Sequence, residues 1–554
     1  MKKNKTTALL TFSLALALML SGCVASPPSA SSPLPASSPE VSSPVESTPA
    51  APLIELADNQ VLIIGHHLQG LGNADPTSAA GHAALTVVDA TMSHLVRFMP
   101  GTTNAKEPEA DLAESWTINA DMTSYTFKLR EGVQWTKDFG EFTSEDVKHT
   151  LERLCDPSTG SQAVGELANL TEILCPDKYT VIVNFSQPEA GFLTTMCNAK
   201  SCIESKAARE QYGDNYQEHL VGTGAFILTE HIPNEKVYLT RNDDYFRGKP
   251  ILEGVEIRFI PDATVRLAAF LSGEVNMSIA NTNRDEWYKA VTGAGHIMDF
   301  IQSGATGYLA VDVTIAPFDD VRVRQAMAYA CDMQLLADVD RGSMPDGCIR
   351  PALAGLVNSP GSSGYTLDQP SYPYNPEKAK QLLAEAGYAD GFAFQTICSA
   401  AANWLDPFTF VQDQLKKVGI IQEIETIDNA TFQAMALRNE IKPAVPSSIA
   451  AQPDSYRTLS RYFLPEGDKF ETCNYNNPEL IELLRASTTE GDPVKRDKLL
   501  QEVSIILATD LPLIPAGTCV DQTYVRSNKI EIGYEMQESL IGFYPLNEKI
   551  SILK

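Results

Sequence analysis

The chain has 554 residues, of which 44% are hydrophobic, and its 70 acidic and 43 basic residues give a formal net charge of −27. This excess of negative charge argues against binding to a nucleic acid backbone. The length indicates two or three folded units, and beyond the first residues no apolar run approaches the roughly 18 needed for a membrane span.

The N-terminus is typical of an export signal. Basic residues at Lys2 and Lys3 precede an apolar run from Ala8 to Leu20, which is too short to cross a bilayer. The run ends in Leu-Ser-Gly-Cys at 20–23, which resembles the lipobox of bacterial lipoproteins, where the cysteine is acylated and the signal is cleaved before it. The sequence therefore predicts a signal peptide at 1–22, lipidation of Cys23 and anchoring to the outer face of the plasma membrane.

Residues 23–58 are predicted to be a tether. From Val24 to Pro52 the chain is almost wholly Ser, Pro and Ala, a composition that cannot bury a hydrophobic core and stays extended. The folded body is expected to begin near residue 59.

The body alternates predicted strands with predicted helices. A Gly-, Asn- and Asp-rich loop is expected at 66–77, after the first strand. Apolar or alternating runs predict strands at 60–64, 124–129, 181–183, 255–260, 308–311 and 420–427. Capping residues predict helices that begin at Ser144, Pro376 and Pro478. The alternation is typical of an α/β protein with mixed sheets.

Nine cysteines remain when Cys23 is set aside, and none of them forms a Cys-x-x-Cys pair. Because export permits disulfides, Cys155 with Cys175 and Cys331 with Cys348 are two open pairings, although spacing does not fix connectivity. An odd number leaves at least one free thiol unless one cysteine pairs between molecules.

From about Val61 to the C-terminus, several segments in collinear order resemble the extracellular solute-binding proteins of family 5. These are the peptide, nickel and oligosaccharide receptors of ABC importers. The matching segments are 112–116, 125–133, 142–147, 222–226, 241–246, 272–275, 317–326 and 378–388. Each segment alone is weakly specific, but their shared order makes chance implausible.

The resemblance implies a two-lobed periplasmic-binding-protein-like fold of class II, or cluster C. Lobe I is expected to comprise 59–306 plus 514–554, with an extra subdomain inserted at about 78–205. Lobe II is expected at 307–513, with crossovers near 304–309 and 511–516. Hinge closure would enclose the ligand in the cleft between the lobes.

The expected function is that of the substrate-binding lipoprotein of an ABC importer, which captures a small solute and delivers it to the permease. An oligopeptide or dipeptide is the default ligand; a metal chelate, an opine or another non-peptide solute is the alternative. The protein is expected to act as a monomer without a cofactor. A lipid-anchored hydrolase is disfavoured because the sequence has no Gly-x-Ser-x-Gly, His-Glu-x-x-His or phosphate-loop motif, so we predict that the protein is not an enzyme.

Eight residues are candidates for ligand contact because their segments should line the cleft. They are His66, His67, Gln69, Thr223, Asn403, Trp404, Ile449 and Asp454. Imidazole is a common metal ligand, but ordinary hydrogen-bonded loop histidines are the simpler interpretation, and no metal site is predicted. Trp404, expected on a loop after a strand, would either stack on a ligand or sit in the core.

One departure from the family pattern concerns charge. Peptide-binding members carry an acidic residue a few positions before the proline of segment 447–456, where it pairs with the peptide ammonium. Here residues 449–452 are Ile-Ala-Ala-Gln, and Asp454 is the nearest acid. Because a buried ammonium without a counter-charge is costly, either another acid substitutes or the ligand is not an unmodified peptide.

Overall fold

The computed structural model describes residues 55–536 and 546–554, except 80, 103–106, 162, 281, 356–361 and 451. The described residues belong to one compact unit. Cys23, the predicted signal peptide and most of the predicted tether therefore lie outside the described residues. Within the described part of the chain, no helix combines the length and apolarity that a bilayer span requires.

Strands and helices alternate along the chain, as the sequence predicts. The strands are β1 (Val61–His66), β2 (Val96–Arg97), β3 (Glu109–Ala110), β4 (Ala113–Ile118), β5 (Ser124–Leu129), β6 (Leu170–Asp177), β7 (Thr180–Phe185), β8 (Phe226–Ile232), β9 (Lys236–Arg241), β10 (Gly254–Phe259), β11 (Met277–Ile279), β12 (Ile297–Val311), β13 (Ile349–Pro351), β14 (Phe392–Ser399), β15 (Ile420–Ile427), β16 (Ala444–Ala450), β17 (Leu513–Arg526), β18 (Ile530–Glu531) and β19 (Ser551–Ile552). The helices are α1 (His82–Thr91), α2 (Ser144–Cys155), α3 (Phe192–Met196), α4 (Lys206–Tyr212), α5 (Tyr216–His219), α6 (Ala263–Leu271), α7 (Arg284–Gly293), α8 (Val321–Ala330), α9 (Met333–Arg341), α10 (Pro376–Glu385), α11 (Ala402–Lys416), α12 (Asn429–Leu437), α13 (Tyr456–Phe463), α14 (Phe470–Cys473), α15 (Pro478–Thr489) and α16 (Pro493–Asp510).

A large mixed sheet forms the centre of the body. Its strand order is β16-β12-β17-β11-β1-β10-β9-β8, with β13 paired to β17. β1 runs parallel to both of its neighbours, β10 and β11. β12 and β17 are long antiparallel partners, with register from Ile297 opposite Arg526 to Ala310 opposite Leu513. These two strands connect the part of the sheet around β1 with the part around β16.

The central strands bury both faces. Along β12, Leu309 and Val311 enter one hydrophobic cluster, whereas Tyr308 and Ala310 enter another. This division follows from the two-residue period of a strand. Because both faces are covered at 308–311, these four residues read as a continuous apolar run. Residues 297–307 include Asp, Gln, Ser, Thr and Gly, which is why the sequence predicted only the last four residues of β12.

Apolar side chains form several clusters. The largest draws on residues 62–301 and 524–552, and two others draw on residues 308–516. A further cluster joins Phe270 and Trp287 to Met344 and Ile349, across the predicted boundary at residue 306. A separate antiparallel sheet, β4-β5-β7-β6, lies within the segment expected to form the extra subdomain.

The two ends of the described body are held together. Leu56 and Leu553 form an antiparallel bridge. The Gln60 amide donates to the carbonyl of Ile552 at 2.8 Å and accepts from its backbone N–H at 3.0 Å. The start of β1 is thereby fixed to the last strand of the chain.

Local signals place several elements correctly. β5 and β15 have the predicted bounds, and α2, α10 and α15 begin at the predicted residues. Thr143 and Asp146 form a capping box on α2, while Asn375 and Asn477 accept backbone hydrogen bonds at the starts of α10 and α15.

Three expectations are corrected. His66 is the last residue of β1 and not part of the following loop, because β1 continues beside β10 as far as Phe259. Trp404 lies in the first turn of α11 and not on a loop, since the alanine-rich, glycine-free segment favours a helix. Cys155 and Cys331 are free thiols, so neither suggested disulfide forms. Cys155 ends α2, whereas Cys175 contacts the carbonyl of Ser144 at the start of that helix.

Candidate ligand-binding site

Three neighbouring parallel strands of the central sheet, β11, β1 and β10, have their carboxyl ends side by side. β1 ends at His66, between β10 on one side and β11 on the other. The chain passes from β10 through α6 to β11, and so crosses β1. In open α/β sheets, ligands bind outside the carboxyl ends of strands where connections diverge in this way.

Three histidines cluster at these carboxyl ends, and we call them the histidine pocket. The rings of His66 and His67 stack with centroids 4.8 Å apart. The ring of His82, the first residue of α1, meets His67 edge-on at 5.9 Å. Among the described residues, no group of three or more His, Cys, Asp or Glu side chains has the geometry to hold a metal ion. The histidine pocket therefore offers ring nitrogens for hydrogen bonds.

The hydrogen bonds of His66 define its tautomer. The backbone N–H of Leu68 donates to Nδ1 at 3.2 Å, so Nε2 carries the proton in the neutral ring. Burial, with smaller effects from His67, His82 and Arg266, lowers the pKa of His66 to about 3. His66 is therefore neutral at physiological pH. Its Nε2 is buried without a hydrogen-bond partner among the described residues, which leaves a donor for an incoming acceptor.

Arg266 forms hydrogen bonds with the backbone at the ends of β10 and β11. Its guanidinium donates to the carbonyls of Ile260 at 2.7 Å and Ile279 at 3.2 Å, which follow β10 and end β11. It also lies over the ring of Trp287, 5.6 Å from the centroid. Sequence reasoning missed Arg266; the available signal was a single cation between apolar neighbours in α6.

A second feature is a cavity of about 1160 Å³, which we call the charged cavity. One wall is contributed by residues from 163 to 201 and the other by residues from 448 to 496. Ile449 and Asp454, two of the predicted contact residues, both line it. A volume of this size accommodates a small solute.

Most charged side chains around the charged cavity are paired with one another. The pairs are Glu166 with Arg457, Asp454 with Arg496 at 2.7 Å, Asp468 with Arg461 at 2.7 Å, and Glu466 with Arg485 at 3.4 Å. The first pair joins the two walls, as does a hydrogen bond from the backbone N–H of Ala190 to the carbonyl of Thr488 at 3.2 Å.

The Asp454 carboxylate is fully engaged by groups of the cavity wall. Beyond Arg496, its carboxylate accepts from the Ser363 hydroxyl at 3.1 Å and the backbone N–H of Tyr456 at 3.2 Å. Arg496 in turn donates to the carbonyl of Ser487 at 2.8 Å. Asp454 as a whole is only 1% exposed. It lines the cavity, but its hydrogen-bonding capacity is used to hold the wall together.

Glu189 differs from these acids. It follows β7 and lines the charged cavity, with a long hydrogen bond from the Asn169 amide at 3.5 Å. Burial raises the pKa of Glu189 to about 7, with Asp454 adding to the rise and Arg496 opposing it. Sequence reasoning did not select Glu189, because no motif distinguishes it from the other acidic residues of the chain.

The remaining predicted contact residues are dispersed. Gln69 is exposed, three residues after His66. Thr223 is buried, and its hydroxyl has no partner among the described residues. The backbone N–H of Gly224 donates to the carbonyl of Thr91 at 3.0 Å, so Thr223 lies at the opposite end of α1 from His82, about 14 Å along the helix. The side chains of Asn403 and Trp404 lie outside what the structure describes.

Comparison with known proteins identifies the family. The family model described as bacterial extracellular solute-binding proteins, family 5 Middle, matches residues 107–470. The chain belongs to this family. The family 5 resemblance drawn from the sequence motifs is thereby confirmed.

Among similar family 5 proteins is the glutathione-binding protein GsiB of Salmonella paratyphi A, which is 28% identical over 416 residues, or 73% of this chain and 79% of GsiB. Two solved binding proteins from A. tumefaciens R10 share the fold. MoaA, in complex with mannopinic acid, is 27% identical with a TM-score of 0.73, over 90% of this chain and 100% of MoaA. AgaA, in complex with agropinic acid, is 25% identical with a TM-score of 0.71, over 89% of this chain and 99% of AgaA. The predicted α/β binding-protein fold is confirmed.

Proposed function

We propose that this chain is the substrate-binding lipoprotein of an ABC importer, acting as a monomer on the outer face of the plasma membrane. It captures a small solute, a dipeptide or oligopeptide by default, and delivers it to the permease subunits. Membership of an extracellular solute-binding family supports this role. The observation that carries it is the charged cavity, whose walls come from two distant stretches of the chain.

The proposed mechanism is closure of lobe I (59–306 plus 514–554) on lobe II (307–513). In the closed form, Glu166 and Arg457 join the walls of the charged cavity, and opening separates them. A ligand drives closure only through its preference for the closed form. Under this proposal the solute leaves chemically unchanged, and no cofactor takes part.

A receptor for opines or other non-peptide solutes is the second candidate. The observation that favours it is Ile449, an apolar residue in the stretch where peptide-binding members carry the acid for the peptide ammonium. MoaA and AgaA, two of the solved binding proteins similar to this chain, are complexes with mannopinic acid and agropinic acid. Both candidates use the same cavity and differ in whether the ligand presents the terminal ammonium of an unmodified peptide.

A thermal-shift screen of the purified full chain separates the candidates. Separate pools of dipeptides and tripeptides, opines, sugars and divalent metals are compared. A ligand at 100 times its Kd should stabilise the protein by about 2.7 kcal/mol. Stabilisation by peptides supports the default, and stabilisation by opines alone supports the alternative. Conversion of a bound solute, detected by mass spectrometry, would contradict a binding role.

A further inference from the structure

Among the described residues that line the charged cavity, Glu189 is the acid that forms no ion pair. Four of its lining acids each pair with an arginine: Glu166, Asp454, Glu466 and Asp468. Among the described residues, Glu189 has no lysine, arginine or histidine nitrogen within salt-bridge distance. Arg496, the cation nearest in the wall, is already bound to Asp454 at 2.7 Å and to the carbonyl of Ser487 at 2.8 Å.

Glu189 and Ile449 line the same cavity from different walls. Ile449 belongs to β16. The family resemblance implies that peptide-binding members carry their acid in this stretch. β16 lacks that acid, and Glu189 supplies a carboxylate from the wall formed by residues 163–201. A buried cation requires such a counter-charge.

We infer that Glu189 binds the cationic group, an amine or amidine, of the captured solute. This inference rests on the proposed function and specifies its ligand class: a solute that carries a positive charge. The ligand cation meets Glu189 instead of an acid on β16. Asp454 then acts as a positioning residue, because it forms the ion pair with Arg496 at 2.7 Å.

The groups around Glu189 set its pKa, which a bound cation would lower. Asp454 and Arg496 face it from the opposite wall, with Tyr456 nearby. On its own wall, the Tyr125 hydroxyl donates to the backbone carbonyl of Glu189 at 2.7 Å, and Asn169 approaches the carboxylate. An arriving cation stabilises the ionised carboxylate and lowers its pKa, so binding near pH 7 releases a proton. Affinity should rise from pH 6 to about pH 7, where an α-amino group is still protonated.

The test uses the full chain and two probes: a pool of dipeptides and tripeptides with free amines, and the same pool after N-acetylation. Apparent affinities come from the concentration dependence of the melting temperature. Glu189→Gln removes the charge and keeps the shape. Glu172→Gln, on the exposed side of β6, is the matched control. Wild type and Glu172→Gln should prefer the free-amine pool by about tenfold or more, and Glu189→Gln should lose that preference.

The outcomes separate the inference from the proposed function. A preference that Glu189→Gln abolishes supports both. Equal stabilisation of wild type by the two pools, or an unchanged preference in Glu189→Gln, overturns the role of Glu189 and leaves the peptide receptor standing. Stabilisation by neither pool overturns both the role of Glu189 and the default assignment as a peptide receptor. A correctly folded variant is confirmed by its circular dichroism spectrum and cooperative melting.

Discussion

The Arg496 guanidinium donates to the Asp454 carboxylate at 2.7 Å, and both side chains are buried in the wall of the charged cavity. The pair joins α16 to the segment that precedes α13. An ion pair removed from water contributes to stability mainly when it is complete, since either partner alone is a buried, uncompensated charge.

Replacing Asp454 with Asn should therefore destabilise the protein by about 3–5 kcal/mol, because Arg496 would remain buried without its counter-charge. Urea denaturation measures the change in the free energy of unfolding. Asp468→Asn is the control, because its pair with Arg461 is exposed and should contribute at most about 1 kcal/mol. Equal losses in the two variants would show that burial of the Asp454 pair has no energetic consequence.

The histidine pocket should make the protein acid-sensitive. His66 and His67 have pKa values lowered to about 3 and about 4, so the unfolded chain binds more protons than the folded one below pH 6.5. Stability then falls as the pH falls from 6.5 towards the folded pKa values, with a slope that approaches about 1.4 kcal/mol per pH unit for each imidazole. His66→Asn keeps an acceptor for the backbone N–H of Leu68 but does not titrate.

The free energy of unfolding of His66→Asn should be measured at pH 7, 6 and 5. Its slope against pH should be smaller than that of wild type by the contribution of about one proton. His296→Asn, outside the pocket, serves as the control. The same slope in wild type and His66→Asn would mean that His66 titrates normally in the folded protein.

Glu189 should have the opposite pH dependence. Its folded pKa of about 7 exceeds the ordinary value of 4.5, so the folded state binds more protons than the unfolded state between these values. The free energy of unfolding contributed by this group decreases as pH rises through the window, and ionisation carries its full cost above pH 7. Glu189→Gln should be more stable than wild type by roughly 1–3 kcal/mol at pH 8 and nearly equal at pH 5. A variant less stable than wild type at pH 8 would contradict this sign.

Cys23→Ser tests the anchor. The unmodified chain should incorporate radiolabelled palmitate and sediment with membranes, whereas Cys23→Ser should lose the label and appear in the soluble fraction. Cys155→Ser, which changes a half-buried thiol in the folded body, should keep both properties. Retention of the label by Cys23→Ser would remove this cysteine as the acylation site.

Local chemistry made part of the fold predictable. The caps at Thr143, Asn375 and Asn477 fix helix starts through hydrogen bonds within a few residues, and these starts were predicted correctly. The alternating pattern of 124–129 likewise matches β5 because one face of that strand is buried. Signals of this kind do not depend on the rest of the chain.

The candidate site depends on contacts between distant parts of the sequence. The pairing of Glu166 with Arg457, and the isolation of Glu189 among paired acids, arise only when the two walls meet. His66 and His67 were selected because they follow a strand, but the contribution of His82 required α1 to pack beside them. Asp454 was selected because its segment should line the cleft and because it is the acid nearest to residues 449–452, whereas its pairing with Arg496 has no counterpart in the local sequence.

The double hydrogen bond between Gln60 and Ile552 determines where an upstream segment joins the body. That junction is beside the amino end of β1, whereas His66 is five residues further along the strand, about 17 Å away. Mechanical load applied through the N-terminus is thus transmitted first to the bridge between Leu56 and Leu553. The carboxyl end of β1, with its imidazoles, therefore lies away from the attachment point.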